Sequence, residues 1–263
     1  MDFATLRLVI EGPVCRVILN RPEIRNAFND EMLDDLHTAF KEIKNNESLR
    51  AVILTGEGRA FCAGADLHWM KRVVDYDLEE NYQDSLKLAD SLEEIYNCPK
   101  PVVGRINGPA VGGGTGLIAV CDIAIASQDS WFALSETRLG LVPAVISPFL
   151  LKRMGERNLR EFFLTAQRFS AEHAVELGLL NASVPPARLD SEVDSTVRSI
   201  IGGGPCAQAR VKELIRDISG GEMALHKTYT AKMISELRMS EEGQEGMNAF
   251  LEKRIPGWVK DKE

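Results

Sequence analysis

Three features of the 263-residue sequence predict an α/β fold. Along residues 1–200, short apolar segments alternate with stretches of helical apolar spacing, the pattern of strand–helix units that bury a sheet. Glycine-rich turns stand where strand gives way to helix. After Gly202-Gly203-Gly204 the strand signals stop, and residues 201–263 read as a helical C-terminal appendage. No internal repeat or low-complexity tract interrupts this plan.

Residues 6–10 and 14–19 alternate apolar and polar around Glu11-Gly12-Pro13, which predicts a β-hairpin. Residues 29–43 carry Met32, Leu33, Leu36, Phe40 and Ile43 at helical spacing, with Asn29 or Asp30 as the cap. Residues 51–55 form an apolar strand, 56–66 a small-residue loop, and a helix starts at Leu67. A polar stretch, 75–84, separates it from an amphipathic helix over 85–96, stopped by Pro99. Strands follow at 101–106, 123–126 and 131–134, with a helix over 112–120. Short helices are expected at 161–165 and 171–177. Residues 206–218 and 223–251 are expected to be helical without intervening strands.

Composition narrows the function classes. The net charge of −8 argues against a general nucleic-acid binder, which needs clustered Lys and Arg. The five cysteines are scattered and lack a CxxC pair, which suits small buried residues in a reducing compartment. The start, Met1-Asp2-Phe3, is not a basic stretch leading into an apolar run, and no apolar run spans a bilayer. A cytoplasmic protein without membrane contact is expected. The four histidines have no metal-ligand spacing, and no metal is expected.

Two places combine strand, glycine turn and helix start: Phe61-Cys62-Ala63-Gly64-Ala65-Asp66, and Asn107-Gly108-Pro109-Ala110-Val111-Gly112-Gly113-Gly114. Small residues let a ligand approach the backbone, and a helix start supplies unpaired N–H donors. Two such donors meeting at one oxygen form an oxyanion hole. Either turn alone is equally consistent with tight chain reversal. Neither matches a Walker loop or the dinucleotide fingerprint.

The order of these motifs resembles a known family. Arg25-Asn26-Ala27-Phe28, Ala60-Phe61-Cys62-Ala63-Gly64-Ala65-Asp66-Leu67, the run 108–114, Cys121-Asp122-Ile123, Leu134-Ser135-Glu136-Thr137, Arg168-Phe169-Ser170-Ala171 and Glu245-Gly246-Met247 together resemble the enoyl-CoA hydratase/isomerase, or crotonase, family. The resemblance implies a crotonase-like spiral of ββα units and an acyl-CoA thioester substrate. It implies that Ala65 and Gly113 donate their N–H groups to the thioester carbonyl. It also implies a homotrimer or dimer of trimers built with the C-terminal helices, and no cofactor beyond the CoA that the substrate carries.

Hydratases of this family commonly use two glutamates. The sequence keeps one, Glu136, and has Gly116 where the other is expected. Glu136 follows an apolar strand, where partial burial would raise its pKa towards neutrality. One glutamate serves either water addition to a 2-enoyl-CoA or allylic isomerisation. The segments 65–70, 114–117 and 141–148 resemble hydratases of branched, carboxylated enoyl-CoAs such as 3-methylglutaconyl-CoA, and favour hydration. A non-catalytic acyl-CoA-binding relative is the alternative of another class. By resemblance, Arg25, Ala27, Ala63, Asp66 and Leu67 line the CoA channel. Phe250 and Lys253 reach a neighbouring subunit's CoA, and Trp69, with His68 and Met70, lines the acyl pocket.

Overall fold

The computed structural model describes residues 3–220 and 223–259. Met1, Asp2 and residues 221–222 and 260–263 of the expected appendage lie outside the described residues. The chain opens with β1 (Leu6–Glu11) and β2 (Val14–Leu19), then α1 (Asp30–Asn45), β3 (Ala51–Gly56), α2 (Leu67–Val73) and α3 (Leu78–Tyr96). There follow β4 (Val102–Ile106), β5 (Ala110–Val111), α4 (Gly113–Ala119), β6 (Ile123–Ser127), β7 (Trp131–Ala133) and α5 (Ser147–Thr165). Next come β8 (Arg168–Ser170), α6 (Ala171–Glu176), β9 (Ala182–Val184) and α7 (Leu189–Ile201). The helices α8 (Pro205–Ile218), α9 (Met223–Met239) and α10 (Glu241–Leu251) close the chain.

Two sheets run through the core. Six strands lie in the order β1-β2-β3-β4-β6-β9, and three in the order β5-β7-β8. The first hairpin is antiparallel, and every later neighbour in the large sheet is parallel. Single bridges continue the small sheet backwards, Phe28 to Ala65 and Cys62 to Ala110. Each turn of chain therefore passes through the large sheet, then the small one, then a helix. That is the expected spiral of ββα units, in which equivalent residues of successive turns stack as neighbours.

Burial follows the pleat. In β3, Val52 and Leu54 join the main core with Phe28, Phe40 and Phe61, while Ala51 and Ile53 face the other way, onto Leu189, Val193 and Val197 of α7. With both faces covered, β3 has no polar side and reads as a continuous apolar run. The α1 stripe is buried as expected, and the Asn29 side chain caps the helix by accepting from the Met32 N–H. Such a cap contributes about 1 kcal/mol.

Several boundaries differ from the sequence expectations. α3 begins at Leu78, inside the polar stretch, because Asp77 and Glu80 form a reciprocal capping box there. The helix expected at 161–165 is the end of the much longer α5, broken only at Gly155 (φ 73°). The expected segment 223–251 divides into α9 and α10 at Ser240, whose hydroxyl accepts from the Gly243 N–H and starts a new helix. The short strands β8 and β9 were not anticipated. At three residues each, neither carries a periodicity of its own.

Candidate active site

The two glycine turns are held against each other by contacts that only small residues permit. Gly64 has a φ of 90°, and a Cβ there would stand 2.8 Å from the Val111 carbonyl oxygen. A Cβ at Gly114 would overlap the Cys62 carbonyl oxygen. Phe28 donates to the Gly64 carbonyl at 2.8 Å and accepts from the Asp66 N–H at 2.9 Å. In a parallel bridge of this kind, the N–H of the residue between, Ala65, faces away from Phe28, to the side where β5 runs on into Gly113.

Gly112 has φ 53° and ψ −121°, a conformation that glycine adopts without strain, and its N–H donates to Ala133 at 2.9 Å. That anchor sets the start of α4. Gly113 is the first helical residue, so its N–H has no intrahelical partner. Neither the Ala65 nor the Gly113 N–H meets a protein acceptor among the described residues.

Glu136 stands just beyond β7, at the start of a short 3-10 turn over Glu136–Leu139. Its carboxylate lies over Gly112, where a Cβ would come within 2.9 Å of Oε1. Oε2 is buried without a hydrogen-bond partner. Burial pushes the carboxyl pKa up, against a smaller opposing pull from its own backbone N–H. Tertiary structure thus brings Glu136 beside the Gly112-Gly113 step.

Position 116 is filled from elsewhere. A Cβ on Gly116 would overlap Cγ2 of Ile146, with Leu92 Cδ1 at 3.8 Å. One turn beyond the glycine that Glu136 covers, α4 is therefore packed by apolar side chains. The sequence reading missed Ile146, since no local pattern shows which residue covers a glycine thirty positions away.

The remaining candidates divide into three groups. Arg25 and Ala63 line an open cleft of about 700 Å³ with Arg59, Val111 and Trp131. Arg168 stacks over the Trp131 ring, 4.0 Å from its centroid. Two further residues fasten the loop carrying Arg25. Asn26 is fully buried and donates to the Glu57 and Ala60 carbonyls at 2.9 Å. Arg21 donates to the Ala27 carbonyl at 2.7 Å and to the Asp66 carboxylate at 2.8 Å. Asn26 stood in the motif Arg25-Asn26-Ala27-Phe28 without an assigned role, and Arg59 and Arg21 gave no sequence signal, because the contacts with Glu57, Ala60 and Asp66 form only in the folded chain.

The second group faces the protein. Asp66, only 5% exposed, caps α2 by accepting from the His68 N–H at 2.7 Å and pairs with Arg21. These donors outweigh burial and hold its pKa below the ordinary range. Ala27 is buried. Trp69, 7% exposed, packs edge-on against Phe28 at 5.6 Å, and its ring N–H donates to Asp84 at 3.0 Å. It backs the site through Phe28. The third group points outward: Leu67 is 73% and Phe250 82% exposed, and Lys253 is exposed. Within one chain, the structure does not bring Phe250 and Lys253 to the cleft.

Among the described residues, no group of His, Cys, Asp and Glu has a metal-binding arrangement, and no helix is long and apolar enough to cross a membrane. Burial raises the thiols of Cys62 and Cys121 to about 12, which makes them poor nucleophiles.

The chain is similar to known proteins over nearly its whole length. The family model described as enoyl-CoA hydratase/isomerase matches residues 10–261. The chain is 34% identical over 242 residues to the enoyl-CoA hydratase AKT6-1 of Alternaria alternata, covering 89% of this chain and 77% of that one. Its structure superposes on that of an enoyl-CoA hydratase from Shewanella pealeana with a TM-score of 0.95 at 37% identity, covering 98% and 97% of the two chains. For AtuE of Pseudomonas aeruginosa the TM-score is 0.94 at 34% identity, with 97% and 100% covered.

Proposed function

Because the chain belongs to the enoyl-CoA hydratase/isomerase family, we propose that it adds water across the double bond of a 2-enoyl-CoA thioester. The observation that carries this reading is the placement of Glu136. Its Oε2 is buried without a hydrogen-bond partner, beside a helix start whose Gly113 N–H meets no protein acceptor among the described residues. In this reading the Ala65 and Gly113 N–H groups hold the thioester oxygen as charge develops on it. Each such donor is typically worth about 3–4 kcal/mol in the transition state. Glu136 takes a proton from water as the water oxygen bonds to the β-carbon, then returns a proton to the α-carbon of the enolate. Its raised pKa suits both steps near neutral pH.

CoA enters as part of the substrate, and proton transfer with charge stabilisation needs no further cofactor. The cleft beside Arg25 and Arg59 supports a path for its phosphates. We favour a branched, carboxylated acyl group such as that of 3-methylglutaconyl-CoA. The similarity of residues 141–148 to such hydratases supports this reading. Exposed Phe250, Leu251 and Ile255 support assembly into a trimer or a dimer of trimers, in which Phe250 and Lys253 reach a neighbour's CoA. Light scattering on the purified protein reads that mass directly.

A second reading follows from the solitary carboxylate. Allylic isomerisation of a 3-enoyl-CoA needs one base that carries a proton between two carbons, and Glu136 suffices. A panel of straight-chain 2-enoyl-CoA, 3-enoyl-CoA and 3-methylglutaconyl-CoA separates the two. Hydroxyacyl product from either 2-enoyl substrate is expected. Turnover of the 3-enoyl-CoA alone, with no hydroxyacyl product, would replace hydration by isomerisation.

A further inference from the structure

Asp84, near the start of α3, stands behind the two glycine turns and reaches them through one hydrogen bond. α3 itself is fastened to α1. Ser91, two turns beyond Asp84 on the same face, is buried and donates to the Leu33 carbonyl at 2.9 Å, and Lys87 pairs with Asp34 at 3.1 Å. Asp84 accepts the Trp69 ring N–H at 3.0 Å, and among the described residues its side chain makes no other hydrogen bond. The indole lies edge-on to Phe28. The Phe28 ring fills the space beside Gly113, and its backbone bridges Ala65. An unbroken line of contacts thus leads from a fixed helix to both N–H groups.

The position is a poor one for a charge. Burial pushes the Asp84 carboxyl above the ordinary aspartate range, the Trp69 N–H is the largest pull the other way, and Asp30 adds to the upward push. Ionisation of Asp84 at neutral pH therefore weakens the fold and does not hold it together. What the side chain supplies is direction. A buried indole N–H needs an acceptor, and this acceptor lets the ring rest in one orientation against Phe28. We propose that Asp84 is a positioning residue of this site: by holding the Trp69 ring N–H it keeps the indole against Phe28, and Phe28 in turn keeps the Ala65 and Gly113 N–H groups at one separation. Released from Asp84, the indole turns about its side-chain bonds, Phe28 loses its backing, and the two donors no longer converge on one oxygen. The inference rests on the reading of those two N–H groups as donors to the thioester carbonyl.

The test separates the hydrogen bond from the charge. Asp84→Asn keeps an oxygen for the Trp69 N–H, and Asp84→Ala removes it. On the enoyl-CoA that the parent turns over, Asp84→Ala is expected to lower kcat about tenfold, as a small misplacement of a donor does, with KM changed less than about twofold. Asp84→Asn is expected to stay within about twofold of the parent in both. Hydrogen bonding lowers the infrared stretch of a carbonyl. The thioester stretch of bound butyryl-CoA is expected to move back towards its free value in Asp84→Ala and to stay in place in Asp84→Asn. An unchanged kcat or an unmoved stretch in Asp84→Ala overturns the proposal, as does an Asp84→Asn variant that falls as far as Asp84→Ala. If Asp84→Ala does not fold, Trp69→Phe removes the same hydrogen bond from the other end and decides by the same two readings. A parent whose butyryl-CoA carbonyl is not shifted on binding overturns the reading of the two N–H groups; a shifted parent carbonyl that no variant moves overturns only this inference.

Discussion

The ring of Phe28 occupies the space into which a side chain at position 113 would project: a Cβ on Gly113 would overlap its Cζ and Cε1. Phe28 is also the residue whose backbone bridges Ala65. One aromatic ring therefore sets the distance between the two candidate N–H donors. Gly113→Ala should push Phe28 against Trp69 and separate them. Overpacking of this kind costs about 1–3 kcal/mol, and losing one donor lowers kcat about 10²- to 10³-fold. Melting temperature and kcat, measured together on the variant, check both numbers.

Glu136→Gln keeps the shape of the side chain and removes the base. Hydration should fall about 10²- to 10⁴-fold in kcat. Stability should move the other way. Burial raises the Glu136 pKa, so between the ordinary carboxylate range and the raised value the folded state binds more protons than the unfolded one. The stability of the parent therefore falls as pH rises through that window. The melting temperature of Glu136→Gln relative to the parent is expected to rise from pH 4 to pH 8; a constant difference would reject buried, unpaired Glu136. The acid limb of kcat/KM in the parent should lie above the ordinary carboxylate range.

Asp66 shows the opposite sign. Its pKa is depressed by the α2 cap and by Arg21, so its contribution is fully present above the ordinary aspartate range and is lost as pH falls through the depressed value. Asp66→Asn keeps a cap acceptor but loses the ion pair. It should melt below the parent at pH 7, and the gap should close in acid. Thermal scans at pH 7 and pH 3 read the difference. Asp66→Ala should cost about 1–2 kcal/mol more evenly across pH, through the lost cap.

Arg25 is exposed, with a φ of 57° that glycine adopts freely. Arg25→Gly therefore removes the charge without adding strain. If the cleft it shares with Arg59 receives CoA phosphates, KM should rise about 2- to 5-fold with kcat nearly unchanged. The effect should shrink at high salt, as screening predicts. A salt titration of KM in both proteins tests this; an unchanged KM at low salt would move the CoA path elsewhere.

The sequence by itself determined the parts that depend on neighbours along the chain. The first hairpin, the α1 stripe with its Asn29 cap, the apolar run of β3 and the strand–helix alternation all follow from local periodicity and capping chemistry. The motifs holding Ala65, Gly113 and Glu136 were legible in order, which was enough to point to a family. Only the tertiary structure decided what surrounds them. The Glu136 carboxylate on Gly112, Ile146 on Gly116, Trp69 turned into the core and Asp66 committed to Arg21 are contacts between different turns of the spiral. No periodicity encodes such contacts, because stacking of turns sets them. They bear on the chemistry all the same: that Glu136 has Gly116 for company was legible in the sequence, but its desolvated state is a property of its packing.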